Sequence, residues 1–351
     1  MSIFEISPKI QEANTLSSEF YTDEKYFKAS KEKIFARSWQ YVGTADESNN
    51  LNPFNILDTP LVLSRNGERV RCFSNVCTHR GAILVENECQ ANGIRCRYHG
   101  RRFDLDGKFL TMPEFENVAN FPSEKDDLQQ ISSDIWGKFV FASLNPANPF
   151  EDVFSEMKTR LNWLDLQQFS LAPEYSRDYS VKAHWALYCE NYLEGFHIPF
   201  VHPALNNLLD YGDYSTELFR FSNLQLGIAK DGEAAFDLPE TAPDFGKRVG
   251  AFYFFVFPNL MFNFYPWGLS LNVVEPINAA ETRVKFLTYI FDQAKFGNAD
   301  EALHQTEMED EAVVESVQQG IRSRFYESGR YSPTREQGTH HFHRLIGEFM
   351  S

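Results

Sequence analysis

Two Cys/His pairs of unequal spacing, Cys77-Thr78-His79 and Cys96-Arg97-Tyr98-His99, stand sixteen residues apart. Together they supply two thiolates and two imidazoles. That is the donor set of a Rieske [2Fe–2S] cluster, in which two cysteines hold one iron and two histidines the other. Exchanging thiolates for neutral imidazoles removes negative charge and raises the potential, which suits a centre that passes single electrons. A structural zinc site uses the same donors. Zinc ribbons favour C-x2-4-C pairs, however, whereas each pair here gives one cysteine and one histidine. Gly81 and Gly100 follow the two histidines and allow tight loops whose N–H groups turn toward the sulfurs.

A second constellation runs from Glu190 to His202. Glu190, Glu194 and His197 are spaced i, i+4, i+7, so one helical face carries all three, with Asn191 beside them. Pro199 is expected to end that helix just after His197. His202 would lie about 140° away on a regular helix, so the break is what returns it to the same metal. Two histidines and a distant carboxylate make the facial triad of non-haem Fe(II) oxygenases, which leaves positions open for O2. Asp310 is the first choice for the carboxylate and Glu307 and Glu311 are the fallbacks. Pattern alone does not choose among them, since an acidic run is also what a solvated helix face looks like.

The elements that must position these residues can be read more coarsely. The 351 residues allow one large domain or two ordinary ones. Residues 1–37 read as a helical segment, 38–149 as a small antiparallel β domain whose loops carry the Cys/His pairs, and 150–351 as an α+β domain. Strands are expected at Leu61–Ser64, Arg71–Val76 and Lys138–Leu144, and again at Ala251–Phe257, Leu260–Tyr265, Leu269–Val274 and Thr282–Phe291. Glu24–Phe35 and Phe150–Phe169 read as helical. A long helix over Asp300–Ser323 is expected to bury Ala302, Thr306, Val313, Val317 and Ile321. Five cysteines do not form a disulfide framework. A net charge of −16 argues against nucleic acid or an anionic membrane as the main partner. No run of eighteen apolar residues occurs, and Met1–Tyr21 lacks the features of a signal or transit peptide. The expectation is a soluble, cytoplasmic protein.

With C-x-H-x16-C-x2-H followed by E-x2-H-x4-H, the chain resembles the catalytic α subunits of Rieske non-haem iron oxygenases, the ring-hydroxylating family. Glu190–Pro203, Phe257-Pro258-Asn259-Leu260-Met261, Glu309–Gly320 and His340-His341-Phe342-His343 place the likeness in the short homomeric branch that includes choline monooxygenase. The resemblance implies a Rieske [2Fe–2S] domain joined to a helix-grip catalytic domain, an antiparallel sheet with a long C-terminal helix. It implies Cys77, His79, Cys96 and His99 as cluster ligands and His197, His202 and Asp310 as ligands of a mononuclear Fe(II). Asn191 would lie near the iron, and Glu194 would link it to the cluster histidine of a neighbouring subunit in a head-to-tail homotrimer. The chain departs from the family's usual Cys-Pro-Tyr-His-Gly-Trp, with Arg97 for the proline and Arg101 for the tryptophan.

The implied activity is that of a terminal oxygenase. It would use O2 and electrons from NAD(P)H, delivered by a ferredoxin or a flavin/iron–sulfur reductase, to oxidise a small organic substrate. Phe252, Tyr253, Phe254, Phe262, Phe264, Tyr265 and Trp267 are candidates for its pocket, where an aromatic cage would hold a quaternary ammonium by cation–π attraction. The branch favours hydroxylation or N-demethylation of such a compound. Mono- or dioxygenation of an aromatic ring is the alternative, and a Rieske electron carrier without oxygenase chemistry belongs to a different class. Arg80, Arg95, Arg97, Arg101 and Arg102 fall within 23 residues. They are expected either to form a basic collar that steers the electron donor or to pair with carboxylates.

Overall fold

The turn dipeptide Asn66-Gly67 closes a hairpin, with Gly67 at φ +62° where a side chain is disfavoured. The computed structural model describes residues 4–46, 48–208, 211–212 and 214–351; Met1–Ile3 lie outside the described residues. Two compact units are present, Phe35–Ala147 and a second formed by the chain up to Ile34 with Asn148–Ser351. The breaks thus fall a few residues before 37/38 and 149/150.

The unit Phe35–Ala147 contains β1 (Gln40–Thr44), β2 (Leu51–Ile56), β3 (Thr59–Asn66), β4 (Arg69–Ser74), β5 (Ile94–Arg95), β6 (Arg102–Phe103), β7 (Phe109–Thr111), β8 (Gln130–Trp136) and β9 (Phe139–Ser143). Among the described residues these form a six-stranded antiparallel sheet, β1-β9-β8-β4-β3-β2, and a small sheet, β5-β6-β7. Strand alternation divides the core. Leu61 and Leu63 pack with Ile56, Cys72, Val140 and Ala142 on one side. Val62 and Phe73 pack on the other with Leu51, Ile94 and Phe103, and this second cluster also takes in Cys77 and Cys96. The cysteine loops are therefore seated on an apolar floor.

The other unit begins with α1 (Ser18–Thr22) and α2 (Glu24–Lys33) and resumes with α3 (Phe150–Arg160), β10 (Ser170–Leu171), β11 (Arg177–Val181), α4 (Trp185–Tyr192), α5 (Ile198–Val201) and α6 (Pro203–Leu208). It continues with β12 (Ser215–Leu218), β13 (Ser222–Ile228), β14 (Val249–Val256), β15 (Leu260–Tyr265), β16 (Gly268–Asn278), β17 (Glu281–Ile290), α7 (Gln293–Phe296), α8 (Ala299–Gly320) and α9 (Gln337–Met350). Among the described residues the eight strands form one antiparallel sheet, β10-β17-β16-β15-β14-β13-β12, with β11 also paired to β17. One row across it is apolar: Leu224, Phe254, Phe262, Leu271 and Leu287 stand opposite one another in register. The adjacent row, on the other face, is polar: Gln225, Tyr253, Asn263, Ser270 and Thr288. Phe154 of α3 packs edge-on against Phe262, whereas Tyr192 of α4 donates to Asn263 Oδ1 at 2.8 Å. The sheet thus turns its hydrocarbon face to α3 and its polar face to α4.

Candidate metal centres

The two cysteine loops share one hydrogen-bond scheme despite their different His spacing. Cys77 N–H donates to Ala82 O at 2.8 Å and Gly81 N–H to Cys77 O at 2.9 Å; Cys96 N–H donates to Arg101 O at 2.8 Å and Gly100 N–H to Cys96 O at 3.1 Å. Gly81 and Gly100 have φ of +72° and +77°, so the residue four after each cysteine is where glycine is required. Both thiols are buried, and the rings of His79 and His99 lie 4.9 Å apart. Burial holds the Cys77 thiol above its ordinary pKa and the adjacent Cys96 sulfur adds to the rise, while the N–H groups of His79 and Arg80 oppose it. Those amides aim at a sulfur that would carry negative charge in a cluster, so the donor set and its surroundings fit a [2Fe–2S] centre.

The second constellation is built from α4, α5 and α8. Asp310 Oδ1 lies 2.9 Å from His202 Nε2 and 3.5 Å from His197 Nε2. The ligand atoms of His197, His202 and Asp310 all fall within 4.8 Å of one another, close enough for one ion about 2.1 Å from each. Each histidine's other nitrogen is held by a carboxylate: His197 Nδ1 by Glu194 Oε1 and His202 Nδ1 by Glu309 Oε2, both at 2.7 Å. Carboxylates placed so fix tautomer and ring orientation, presenting both Nε2 atoms to a metal. Burial alone would depress the pKa of His202, but Asp310 and Glu309 outweigh it and raise the value.

A family model for the ring hydroxylating alpha subunit (catalytic domain) matches residues 169–351, and one for the Rieske [2Fe-2S] domain matches residues 38–122. The chain belongs to the ring-hydroxylating oxygenase α-subunit family. It is 31% identical to the chloroplastic choline monooxygenase of Arabidopsis thaliana over 98% of this chain and 85% of the relative. It is also 31% identical to the carnitine monooxygenase oxygenase subunit of Escherichia coli K12, over 96% and 94%. Among solved structures, a quaternary ammonium Rieske monooxygenase studied for carnitine oxidation by gut microbiota superposes with a TM-score of 0.83 at 25% identity, covering 99% of this chain and 100% of that one. Naphthalene 1,2-dioxygenase from Rhodococcus sp. shares the fold, with a TM-score of 0.78 at 16% identity and coverage of 96% and 94%.

As a Rieske oxygenase, the chain joins an iron–sulfur domain to a catalytic domain of the type that binds mononuclear iron. Several local expectations are corrected. α4, the helix expected to carry Glu190, Glu194 and His197, ends at Tyr192, before Glu194, and does not run on to His197. The Glu194 carboxylate accepts the N–H groups of Phe196 and His197, drawing them from a helical ladder. Gly195 packs so tightly on Tyr214 that a Cβ there would meet Cε1 at 2.8 Å. Pro199 is no helix breaker here, because it sits in the first turn of α5, where its missing N–H costs nothing. On α8 the buried positions are Glu307, Val314 and Gln318, followed by Ile321, while Val317 is 44% exposed. Hydrophobic periodicity misses this face because polar side chains bond across it: Tyr188 OH donates to Glu307 at 2.7 Å and His184 N–H to Gln318 at 2.7 Å. Glu307 is thereby committed to Tyr188, and neither it nor Glu311 belongs to the group around Asp310. Asn191 is half-buried on α4.

The pocket and collar candidates also divide. Phe252 and Phe262 pack against Trp163 and Phe154, and Phe264 against Phe169, on the hydrocarbon face. Tyr253 and Tyr265 lie on the other face, their rings 5.9 Å apart, with Tyr214 6.5 Å from Tyr253 and Trp267 stacked 5.1 Å from Tyr265. Burial pushes the phenols of Tyr192, Tyr214 and Tyr265 well up and that of Tyr253 to about 12. All four nevertheless keep some accessible surface on the polar face of the sheet. Arg101 is buried, paired with Asp126, and leaves the collar; Arg97 pairs with Glu86 at 3.0 Å. Arg80, Arg95 and Arg102 are exposed.

α9 was not legible as a separate helix, although Phe342, Leu345, Ile346 and Phe349 repeat at helical spacing and are buried. It carries the C-terminal histidines. His343 is enclosed by Tyr331 OH at 2.5 Å from Nδ1 and Glu190 Oε1 at 3.0 Å from Nε2, and Tyr21 OH donates to the same Glu190 oxygen at 2.7 Å. His340 Nε2 lies 2.8 Å from Ser7 O. Neither belongs to the triad.

Proposed function

We propose that this oxygenase oxidises a quaternary ammonium compound, by hydroxylation or N-demethylation, with His197, His202 and Asp310 holding its mononuclear iron. Iron bound there supplies O2 activation, and the cluster supplies electrons one at a time. The observation that carries the metal assignment is the convergence of both Nε2 atoms on Asp310 Oδ1, with each Nδ1 fixed by a carboxylate. The tyrosine cluster of Tyr214, Tyr253 and Tyr265 carries the substrate reading. Tyr214 packs directly on Gly195, inside the segment between Glu194 and His197, and aromatic faces attract a desolvated ammonium. The relatives named for choline and carnitine oxidation support the same class.

Asn191 borders the iron site in this reading. Glu194 orients His197 and serves as the carboxylate that joins the iron to a cluster histidine of the neighbouring copy in a homotrimer. Electrons come from NAD(P)H through a separate ferredoxin or flavin/iron–sulfur reductase, and the enzyme works in the cytoplasm. No helix among the described residues is long and apolar enough to cross a membrane. With a surrogate reductase, O2 uptake is expected with quaternary amines and not with aromatic acids; the reverse pattern would overturn the substrate class. Glu194→Gln keeps an acceptor for His197, so both metal centres should persist while most turnover is lost. Near-normal turnover in that variant would refute the linking role.

A further inference from the structure

Arg101, which stands where the family usually carries tryptophan, occupies a built environment beside the cluster loops. Its side chain is 2% exposed. Nη2 donates to Asp126 Oδ1 at 2.5 Å and to Asp126 O at 3.3 Å. The guanidinium lies 4.9 Å from the ring centre of Phe109 and 5.5 Å from that of Phe121. Phe121 packs 4.9 Å from Phe115, which stands edge-on 5.4 Å from His79. Asp126 is fixed in turn. Ser123 donates to its other oxygen from N–H at 2.7 Å and from the hydroxyl at 3.0 Å. Thr78, between Cys77 and His79, donates its hydroxyl to Asp126 O at 2.9 Å. The Arg101 carbonyl itself accepts Cys96 N–H. One ion pair therefore touches both cluster loops.

Burying such a pair costs desolvation that an indole would not incur. What the pair adds is fixed charge in a place where solvent screens it weakly. Asp126 is ionised: burial would raise its pKa, but the hydrogen bonds from Arg101 and Ser123 outweigh it and hold the value below the ordinary range.

We propose that the Arg101–Asp126 pair sets the reduction potential of the [2Fe–2S] centre, the guanidinium raising it and the carboxylate lowering it. Reduction adds one electron from the donor protein to the centre. A fixed cation nearby favours the reduced form and a fixed anion the oxidised form. Arg101 and Asp126 are thus positioning residues that act through the cluster.

The test is a redox titration of the full-length holoprotein, followed by the Rieske EPR signal. Arg101→Met is expected to lower the one-electron reduction constant about tenfold, which is about 59 mV for such a couple. Asp126→Asn leaves the guanidinium unbalanced and is expected to raise it by a similar factor. Arg101→Lys keeps the charge and should stay close to the parent. A role in packing alone would lower cluster content or melting temperature in both variants without potentials of opposite sign. Shifts in the same direction, or both within about threefold of the parent, would overturn the proposal. If Arg101→Met assembles no cluster, Asp126→Asn decides by itself: an upward shift supports the proposal and an unchanged potential sinks it.

Discussion

The cluster site and the triad are built over different lengths of chain. All four candidate cluster donors lie between Cys77 and His99, and each loop is closed by its own backbone bonds four and five residues on. His202 and Asp310 are 108 positions apart and meet only because α8 packs on α4. The first site is a property of local conformation, resting on glycine at a positive φ. The second is a property of tertiary packing, resting on Tyr188–Glu307 and His184–Gln318 hydrogen bonds between helices. A change at the triad should therefore leave the cluster intact.

Asp310→Ala tests that independence with the largest effect. It removes the carboxylate on which both Nε2 atoms converge. Mononuclear iron should be lost and turnover should fall to background, while the Rieske EPR signal stays at full intensity. Iron analysis beside EPR checks it. A full iron complement would move the third ligand elsewhere, and a weakened cluster signal would break the contrast between the sites.

Glu309→Ala should act one step further out. Glu309 touches His202 Nδ1 and not the metal position, and loss of such a partner costs about 10–100-fold in metal affinity. Competition titrations against a chelator measure it. Affinity unchanged within about threefold would mean that packing alone, with His202 only 1% exposed, is enough to orient that ring.

The same contrast explains what the sequence discloses. Cys77, His79, Cys96 and His99 announce themselves because their chemistry is fixed by near neighbours, and Gly81 and Gly100 mark the loops. Seven strands, β3, β4, β9 and β14 to β17, are legible from their alternation, and β15 falls on the anticipated Leu260–Tyr265. Asp310, the proposed iron carboxylate, is not separable from Glu307 and Glu311 by pattern, because which side of α8 faces inward depends on partners in α4. Apolar spacing pointed to Val317, whereas the inward face carries Glu307 and Gln318 satisfied across the interface. For the same reason pattern does not decide whether Arg101 joins a collar or pairs with a carboxylate; it pairs with Asp126. Its partners, Asp126, Phe109 and Phe121, follow it in the chain and are brought over it by the fold.

Glu307→Gln carries the smallest expected effect and separates the two acidic roles on α8. Burial raises the Glu307 pKa well above the carboxylate range; the Tyr188 hydrogen bond opposes this, and the charges of Asp310 and Glu311 add to it. A carboxyl whose folded pKa is raised favours folding below its unfolded pKa, about 4.3, and loses that contribution as pH climbs toward the folded value. Burial therefore favours the uncharged carboxyl, and glutamine is nearly its isostere, with an oxygen for the Tyr188 hydroxyl. Iron affinity and melting temperature should hardly move, and as pH rises above about 4.3 stability should fall less than the parent's. Glu307→Leu, which strands the Tyr188 hydroxyl, should cost about 1–3 kcal/mol. Were Glu307 an ionised metal ligand, the glutamine variant would instead shed iron as Asp310→Ala does. Parallel melts and iron analyses of the three variants distinguish a carboxyl that holds two helices together from one that holds the metal.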